Sequence, residues 1–432
     1  MLKRKILDEL MKWKQSTNKR ALLIEGARQV GKTFIVREFG KTYKNFIEIN
    51  FEKQKKERRA FDGNLDARTI IRELSLMEYG PFEEGRTLIF FDEIQSCPQA
   101  RTAIKFLVED GRFDYICSGS LLGINYKQVS SYPVGYERKI QMYPLDFEEF
   151  LWARNKHFDF IKEMRKSFDE ITPLSDFLHT KLMELYREYL IVGGMPAAVE
   201  TFLKHDDFSK TLEIQKYILD SYRDDIALYA GDQKILVKDM FDAIPEQLNK
   251  KNKRFVFADI EKKGRSKTYE NASMWMSEAS IVYNCYNVAT LDLALLFNEK
   301  RNLYKLYMHD TGLLCAQGYT GVQGALLNGE INVNEGAVTE NAVACALAKR
   351  GIPLHYYDKK SRMELDFVFA KDNVLTVIEV KSGKEYKKHA ALDAAKEEST
   401  AKTLRRIVLS KYNTGKGSNG IIYYPLYMAM FL

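Results

Sequence analysis

The stretch Gly26-Ala-Arg-Gln-Val-Gly-Lys-Thr33 decides the fold of the N-terminal part of this chain. It has the pattern G-x-x-x-x-G-K-[ST] of a phosphate-binding loop, and it lies between the apolar run Ala21–Gly26 and a helical pattern over Thr33–Phe39. Glycines let successive backbone N–H groups face one phosphate cluster, and the helix N-terminus adds partial positive charge. The alternative is a glycine-rich turn without a ligand. The residues expected to bind a nucleotide are Gly26, Ala27, Arg28, Gln29, Val30, Gly31, Lys32 and Thr33.

Individual roles follow from the chemistry of the side chains. Lys32 is expected to reach the β- and γ-phosphates of ATP, and Thr33 to offer its hydroxyl to Mg²⁺. The apolar run from Leu88 ends in Asp92 and Glu93, at the edge where open α/β sheets bind ligands. Asp92 is a second expected Mg²⁺ ligand, and Glu93 is the expected general base. The alternative is a buried strand that ends in acids without a catalytic role.

Two further residues are weaker candidates for the same site. Ser118 lies near the end of the run Asp114–Ser120, where a polar group is expected to orient water beside the γ-phosphate; a plain strand-to-loop turn is the alternative. Arg138 precedes a fifth apolar run and is a candidate arginine finger that acts in trans, with a surface arginine as the alternative.

Apolar strands alternate with helical patterns over the first third of the chain, which predicts a parallel α/β sheet covered on both faces. The composition then becomes helical and aromatic-rich, and further strands follow. We expect four regions: a phosphate-binding core over 1–150, a helical connector over 151–234, a winged helix-turn-helix over 235–310 and a second α/β domain over 311–432.

Composition excludes several classes of protein. The 432 residues are 45% hydrophobic and 29% charged, which excludes a disordered or collagen-like chain. The five cysteines form no C-x-x-C pair, and together with the charged N-terminus they favour a cytoplasmic protein without a secretory signal. No run is long and apolar enough for a transmembrane helix, so no membrane partner is expected.

A net charge of +7 is uninformative as a total, but it is concentrated. Residues 249–267 hold eight basic against two acidic residues, a local excess of +6, at the start of the expected recognition helix. This pattern indicates duplex DNA as a partner, and a protein-binding winged helix is the alternative. The candidate DNA-binding residues are Lys250, Lys251, Lys253, Arg254, Lys262, Lys263, Arg265 and Lys267.

An acidic cluster near the C-terminus predicts a second metal site. Asp366 lies on one expected strand and Glu379 on the next, with Lys381 two residues further on and Glu340 on a preceding helix. Two carboxylates across a hairpin can hold a divalent cation, and a lysine can stabilise developing phosphorane charge. A solvated strand face, or a core that has lost activity, is the alternative.

The chain resembles a family of prokaryotic AAA-type ATPases with an uncharacterised C-terminal domain. The resemblance covers about residues 15 to 385 and depends on the ordered motifs GARQVGKT, LIFFDEIQ, CSGSLLG, YPLDFEEFL, YLIVGGMP, YRDDIALY, MHDTGLL and ELDFVFA…VIEVKSGK.

The resemblance implies an AAA+-like core, a winged helix and a restriction-endonuclease-like domain of the PD-(D/E)xK type. By position, Lys32, Thr33, Asp92 and Glu93 match its ATP site, and Glu340, Asp366, Glu379 and Lys381 match its nuclease-like core. Leu365 stands at the position of the motif's proline, which is often missing in such domains. The hallmark glycines Gly193 and Gly194, before Pro196, are expected to form a tight turn against the ATPase core.

Three functions remain open at this point. The first is a Mg²⁺-dependent ATPase that couples its nucleotide state to a DNA-facing C-terminal region. The second is a nucleotide-dependent switch or scaffold with slow hydrolysis and an inactive nuclease-like domain. The third is an ATP-regulated DNA nuclease. A homo-oligomer is left open in each case.

Overall fold

The structure is a computed structural model that describes residues 2–119, 133–155, 158–250, 252–256, 266–318, 335–359, 363–383 and 385–432. It divides into a unit formed by Arg4–Tyr143 and a second unit formed by Met1–Lys3 with Pro144–Leu432. The strands of the first unit are β1 (Ala21–Glu25), β2 (Asn45–Asn50), β3 (Thr87–Asp92), β4 (Asp114–Gly119) and β5 (Glu137–Gln141).

All five strands of this sheet run parallel, in the order β2-β3-β4-β1-β5. Every residue of β3 is buried, as expected for a parallel strand covered on both faces. The helices of the unit are α1 (Ile6–Lys14), α2 (Lys32–Gly40), α3 (Ala67–Leu76) and α4 (Pro98–Asp110). This architecture is the parallel α/β sheet typical of a P-loop ATPase, and the predicted fold class is confirmed.

Helices form the N-terminal half of the second unit. Local signals begin two of them: Asp146 and Glu149 form a capping box, and Pro196 occupies a first-turn position. No helix among the described residues is long and apolar enough to cross a membrane. The helices before the second sheet are α5 (Phe147–Ala153), α6 (Phe158–Glu170), α7 (Asp176–Val192), α8 (Pro196–His205), α9 (Phe208–Tyr229), α10 (Lys234–Asn249) and α11 (Ser266–Glu278).

A mixed sheet fills the rest of this unit. The further strands and α-helices described in this unit are β6 (Val282–Val288), β7 (Glu299–Met308), α12 (Thr311–Gly318), α13 (Glu335–Lys349), β8 (His355–Asp358), β9 (Glu364–Lys371), β10 (Val374–Lys381), α14 (Ala390–Glu398), β11 (Leu404–Ser410), β12 (Gly415–Lys416) and β13 (Ile422–Pro425). The strand order is β12-β13-β11-β10-β9-β8-β6-β7. Asp372 and Asn373 both have positive φ between β9 and β10, as expected for a two-residue turn that joins an antiparallel pair.

β6 and β7, which lie in the region 235–310 expected to be a winged helix, belong to this larger sheet. β6 pairs antiparallel with β7 on one side and parallel with β8 on the other. The boundary expected at residue 310 therefore falls between elements of one unit. Sequence patterns cannot show this, because the pairing of β6 with β8 joins segments more than sixty residues apart.

A glycine turn fastens α7 to two distant segments of the second unit. A Cβ on Gly194 would lie 2.0 Å from the backbone oxygen of Leu145. A Cβ on Gly193, whose φ is +71°, would lie 2.2 Å from Asp310 Oδ1. Asp310 is buried, and it accepts hydrogen bonds from the N–H groups of Gly194 (2.6 Å) and Leu313 (3.0 Å). The hallmark glycines are therefore required for close backbone approach.

Asp310 makes the stability of this turn depend on pH. Burial raises its pKa from 3.8 to about 6, although the backbone N–H donors act in the opposite direction. Since the folded state holds this proton more tightly, the stabilisation is complete below pH 3.8 and is lost as pH rises through about 6.

We therefore expect wild type to lose stability relative to Asp310→Asn between about pH 4 and about pH 6, with a constant difference above that range. The measurement is the unfolding midpoint of both proteins across this range. The contributions of groups that titrate in both proteins cancel in the difference between the two midpoints. A difference that stays constant across this range would contradict a raised pKa for Asp310.

Candidate functional site

The loop between β1 and α2 adopts a conformation that its glycines permit. Gly26 has a φ of +148° and Gly31 a φ of +96°, and Gln29 between them is also left-handed, with a φ of 66°. A Cβ on Gly26 would lie 2.3 Å from the backbone oxygen of Met142. The backbone therefore turns sharply into the N-terminus of α2, where N–H groups are available to phosphate oxygens.

Lys32 lies in the first turn of α2 and is almost completely buried. Its Nζ donates to the carbonyl oxygens of Gly26 (2.7 Å) and Ala27 (2.8 Å). The ammonium group is thus held over the loop by the loop's own backbone. This is the position from which it can exchange these carbonyls for phosphate oxygens, which bind a cation more strongly.

Asp92 is the centre of a hydrogen-bond network at the carboxyl edge of the sheet. It is 2% exposed, and its Oδ2 accepts from Thr33 Oγ1 (3.0 Å) and from Asn50 Nδ2 (2.9 Å). Its Oδ1 accepts from Ser118 Oγ. All three donors are neutral, so the network orients the carboxylate without neutralising its charge.

The strand order explains this convergence. β4 lies between β1 and β3, and β2 lies on the far side of β3. Asn50 is paired in register with Asp92, and Ser118 lies near the end of β4. Because the carboxyl ends of parallel strands meet at one edge, four elements deliver side chains to one place.

Glu93 follows Asp92 in a left-handed conformation, with a φ of 52°. Its Oε2 accepts a hydrogen bond from Gln95 Nε2 at 2.5 Å, and the side chain is half-buried. A left-handed glutamate is uncommon, and such strain is often held at functional sites. Glu93 is therefore placed at the sheet edge, directly after the Asp92 network.

Ser118 reaches the predicted edge of the sheet, but its hydroxyl is directed to Asp92. The arrangement makes Ser118 a residue that positions Asp92. Arg138 lies on β5, opposite Leu22 of β1, and pairs with Glu9 of α1 on the protein surface. It is thus near the beginning of β1 rather than at the carboxyl edge that carries Asp92.

Two residues of this site were missed by sequence reasoning. Asn50 ends β2 as a polar residue after an apolar run, a signal like that of Asp92, but its relevance depends on the strand order. Arg4 donates from its guanidinium to the carbonyl oxygens of Val30 (3.1 Å) and Tyr143 (2.5 Å), and it is 6% exposed. It supports the phosphate-binding loop from a segment with no recognisable motif.

The predicted acidic cluster lies on one face of the second sheet. Ile378 is paired with Phe367, so Glu379 and Asp366 are the next residues along the β9–β10 hairpin. Asp366 Oδ2 accepts from the backbone N–H of Val380 at 2.8 Å. Glu379 Oε1 pairs with Lys381 Nζ at 2.5 Å. Among the described residues, no group of three or more His, Cys, Asp or Glu has the geometry to hold a metal ion.

A lysine that the sequence did not single out is part of this cluster. Lys305 of β7 has no exposed side-chain surface. Its Nζ lies 3.2 Å from Glu340 Oε1, 2.9 Å from Glu364 Oε1 and 3.9 Å from Asp366 Oδ1. Glu340 also accepts from the hydroxyl of Tyr307 at 2.6 Å.

The predicted DNA-binding residues divide into three groups. The side chain of Lys253 is 17% exposed and pairs with Glu340. Lys250 pairs with Glu246 at 3.0 Å, and Arg254 is half-buried. The remaining candidates lie outside the described residues or, for the last of them, have an undescribed side chain: Lys251, Lys262, Lys263, Arg265 and Lys267.

Comparison with family models divides the chain into three regions. A model described as an AAA domain matches residues 18–151. Models of two domains of unknown function, DUF8612 and DUF4143, match residues 183–324 and 335–428. The chain therefore has an AAA-type P-loop ATPase domain followed by these two domains.

Individual similar proteins were also found. An uncharacterized protein of Methanocaldococcus jannaschii is 24% identical over 362 residues, which cover 81% of this chain and 72% of the relative. A Walker-type ATPase of Pyrococcus abyssi is 15% identical and has a TM-score of 0.47, covering 73% of this chain and 96% of its own. The ORC1 protein of Aeropyrum pernix, solved in complex with DNA, is 12% identical and has a TM-score of 0.26. The match covers 76% of this chain and 93% of the ORC1 chain.

Proposed function

We propose that the Arg4–Tyr143 unit binds ATP with Mg²⁺ and hydrolyses it. The observation that carries this proposal is the convergence of Lys32, Thr33 and Asp92 at the carboxyl edge of a parallel sheet. A lysine held over a glycine-rich loop binds phosphates. The adjacent hydroxyl and carboxylate supply the oxygen ligands that Mg²⁺ prefers.

The residues present fit a magnesium ion. Thr33 Oγ1 and Asp92 Oδ2 are 3.0 Å apart, and both are oxygen donors. Asn50 and Ser118 fix the orientation of the Asp92 carboxylate, which reduces the reorganisation that metal binding would otherwise need. When bound, Mg²⁺ offsets the negative charge of the phosphates.

The chain's own groups account for the remaining parts of the reaction. The Lys32 ammonium and the N–H groups at the start of α2 bind the phosphates and stabilise charge that develops on their oxygens. The Glu93 carboxylate accepts the proton of the attacking water. Its position directly after Asp92 puts this base next to the metal-binding edge.

The finer proposal is that nucleotide state controls a DNA-facing region of the C-terminal half. The local excess of +6 over residues 249–267 supports it. The loss of Lys253 to an internal ion pair weakens the same support. The second candidate, a switch or scaffold with slow hydrolysis and an inactive nuclease-like sheet, is favoured by the ammonium group of Lys305 within the acidic cluster.

Lys32→Ala tests the proposed function. We expect ATP affinity to fall by about ten- to a hundredfold, because a charge-assisted contact to phosphate is worth about 1.5–3 kcal/mol. Affinity is measured with a fluorescent ATP analogue, and hydrolysis with and without duplex DNA. Lys41→Ala is the matched control, since Lys41 is an exposed lysine directly after the same helix.

The outcomes separate the candidate functions. A hydrolysis rate that rises with DNA in wild type supports the DNA-facing role. A slow rate that DNA does not change supports the switch. Unchanged ATP affinity in Lys32→Ala would contradict the nucleotide site itself.

A further inference from the structure

The acidic cluster of the second sheet contains its own cations. Four carboxylates belong to it, those of Glu340, Glu364, Asp366 and Glu379, and three ammonium groups contact them, those of Lys253, Lys305 and Lys381. Lys305 is the central one, because its Nζ lies within 4 Å of three of the carboxylates and its side chain is fully buried. The cluster is therefore close to neutral as it stands.

Burial of the Lys305 ammonium group requires negatively charged groups close to it. Transfer of an ammonium group into the interior is costly unless it is paired and hydrogen-bonded. Burial acts to lower the pKa of Lys305, but Glu340, Glu364 and Asp366 raise it well above its ordinary value. Lys305 therefore carries a positive charge in the folded protein.

Burial and the neighbouring charges also shift the pKa values of two carboxyl groups in this cluster. Burial acts to raise the pKa of Glu340, but the ammonium groups of Lys253 and Lys305 lower it to about 2. Burial and the negative charge of Glu340 raise the pKa of Asp366 to about 7, with the two lysines acting in the opposite direction. Lys253 and Lys305 thus favour the charged form of Glu340, whereas the surroundings of Asp366 favour its neutral form.

We propose that the Lys305 ammonium is the resident cation of this cluster and takes the place of the divalent metal ion that a nuclease-like sheet would bind there. A divalent cation added beside Lys305 would give the buried cluster an excess of positive charge. An unpaired charge in the protein interior has a desolvation cost, and the present ion pairs offset that cost. The residues therefore do not fit a catalytic metal, and we expect the second sheet to fold without one.

The proposal implies that removal of the ammonium group creates a metal site. Lys305→Ala leaves three carboxylates around a vacated volume. Glu379 adds a buried oxygen, Oε2, that has no hydrogen-bond partner within the described part of the chain. Hard oxygen ligands in this number suit Mg²⁺ or Mn²⁺.

The test measures Mn²⁺ binding to the full-length, nucleotide-free protein from the loss of the free-ion electron paramagnetic resonance signal. We expect Lys305→Ala to bind one additional Mn²⁺ per chain, with at least tenfold higher affinity than wild type. The addition of Asp366→Asn to Lys305→Ala should abolish this binding. Lys300→Ala is the matched control, because Lys300 is an exposed lysine on the same strand.

A second measurement keeps the test decisive if Lys305→Ala is unstable. The variant is then refolded with Mn²⁺ or with a chelator, and Mn²⁺-dependent recovery supports the proposal. Two results would overturn it: no additional binding and no Mn²⁺-dependent recovery in Lys305→Ala, or a site in wild type that Asp366→Asn removes. These results do not depend on ATP hydrolysis, so they are distinguishable from failure of the proposed function.

Discussion

Glu93→Gln is expected to lower the rate of ATP hydrolysis by at least about a hundredfold while MgATP affinity stays within about threefold of wild type. Glutamine has the size and shape of glutamate but cannot accept the proton of the attacking water. Lys32, Thr33 and Asp92 are unchanged, and these are the residues proposed to hold the nucleotide and the metal. The effect should therefore fall on the chemical step alone.

The measurement is phosphate release at saturating MgATP, together with the affinity of a fluorescent ATP analogue. Glu73→Gln is a matched control, since Glu73 is a partly exposed glutamate on α3 of the same unit. A rate that stays near wild type would show that Glu93 is not the base. Loss of both binding and hydrolysis would show that Glu93, with its left-handed backbone, supports the local fold instead.

Gly194→Ala is expected to destabilise the second unit by about 4 kcal/mol or more, an effect in the range of the most severe single substitutions. The new Cβ would lie 2.0 Å from the backbone oxygen of Leu145 and 2.6 Å from its nitrogen. Backbone atoms cannot move aside as the end of a long side chain can. Relief of the clash would also strain the hydrogen bond from Gly194 to Asp310.

Urea unfolding followed by circular dichroism measures this loss. Gly383→Ala is the matched control, because Gly383 lies in the same unit and a Cβ there meets nothing within 4 Å. We expect the control to stay within about 0.5–1 kcal/mol of wild type. Equal midpoints for Gly194→Ala and wild type would mean that the turn relaxes more easily than its contacts indicate.

The sequence predicts the convergence of the candidate site residues at one sheet edge wherever the signals are local. The loop Gly26–Thr33 and the acids Asp92 and Glu93 each follow a strand, and a strand-to-helix transition can be recognised within about ten residues. Asn50 has a similar local signal. It was missed because its proximity to Asp92 depends on the order of strands in the sheet.

The contacts of Lys305 and Gly194 could not be predicted, because the residues that they contact are remote in the chain. Lys305 lies between Tyr304 and Leu306, where alternation suggests a solvent-facing residue. Only the packing of β7 and α13 near β9 buries it against Glu340 and Glu364. In the same way, the contact of Gly194 with Asp310 spans more than a hundred residues.

The pairing of β6 with β8 determines how this protein can be divided for expression. A fragment that ends at residue 310 would leave the β8-facing edge of β6 without its partner, and unpaired strand edges recruit other chains into aggregates. It would also separate Lys305 from Glu340 and Glu364 and so leave a desolvated ammonium group in a truncated interior. A fragment boundary placed before Pro144 keeps the edge, the ion cluster and the contact between Gly194 and Asp310 together. Fragments cut within Pro144–Leu432 are expected to be poorly behaved.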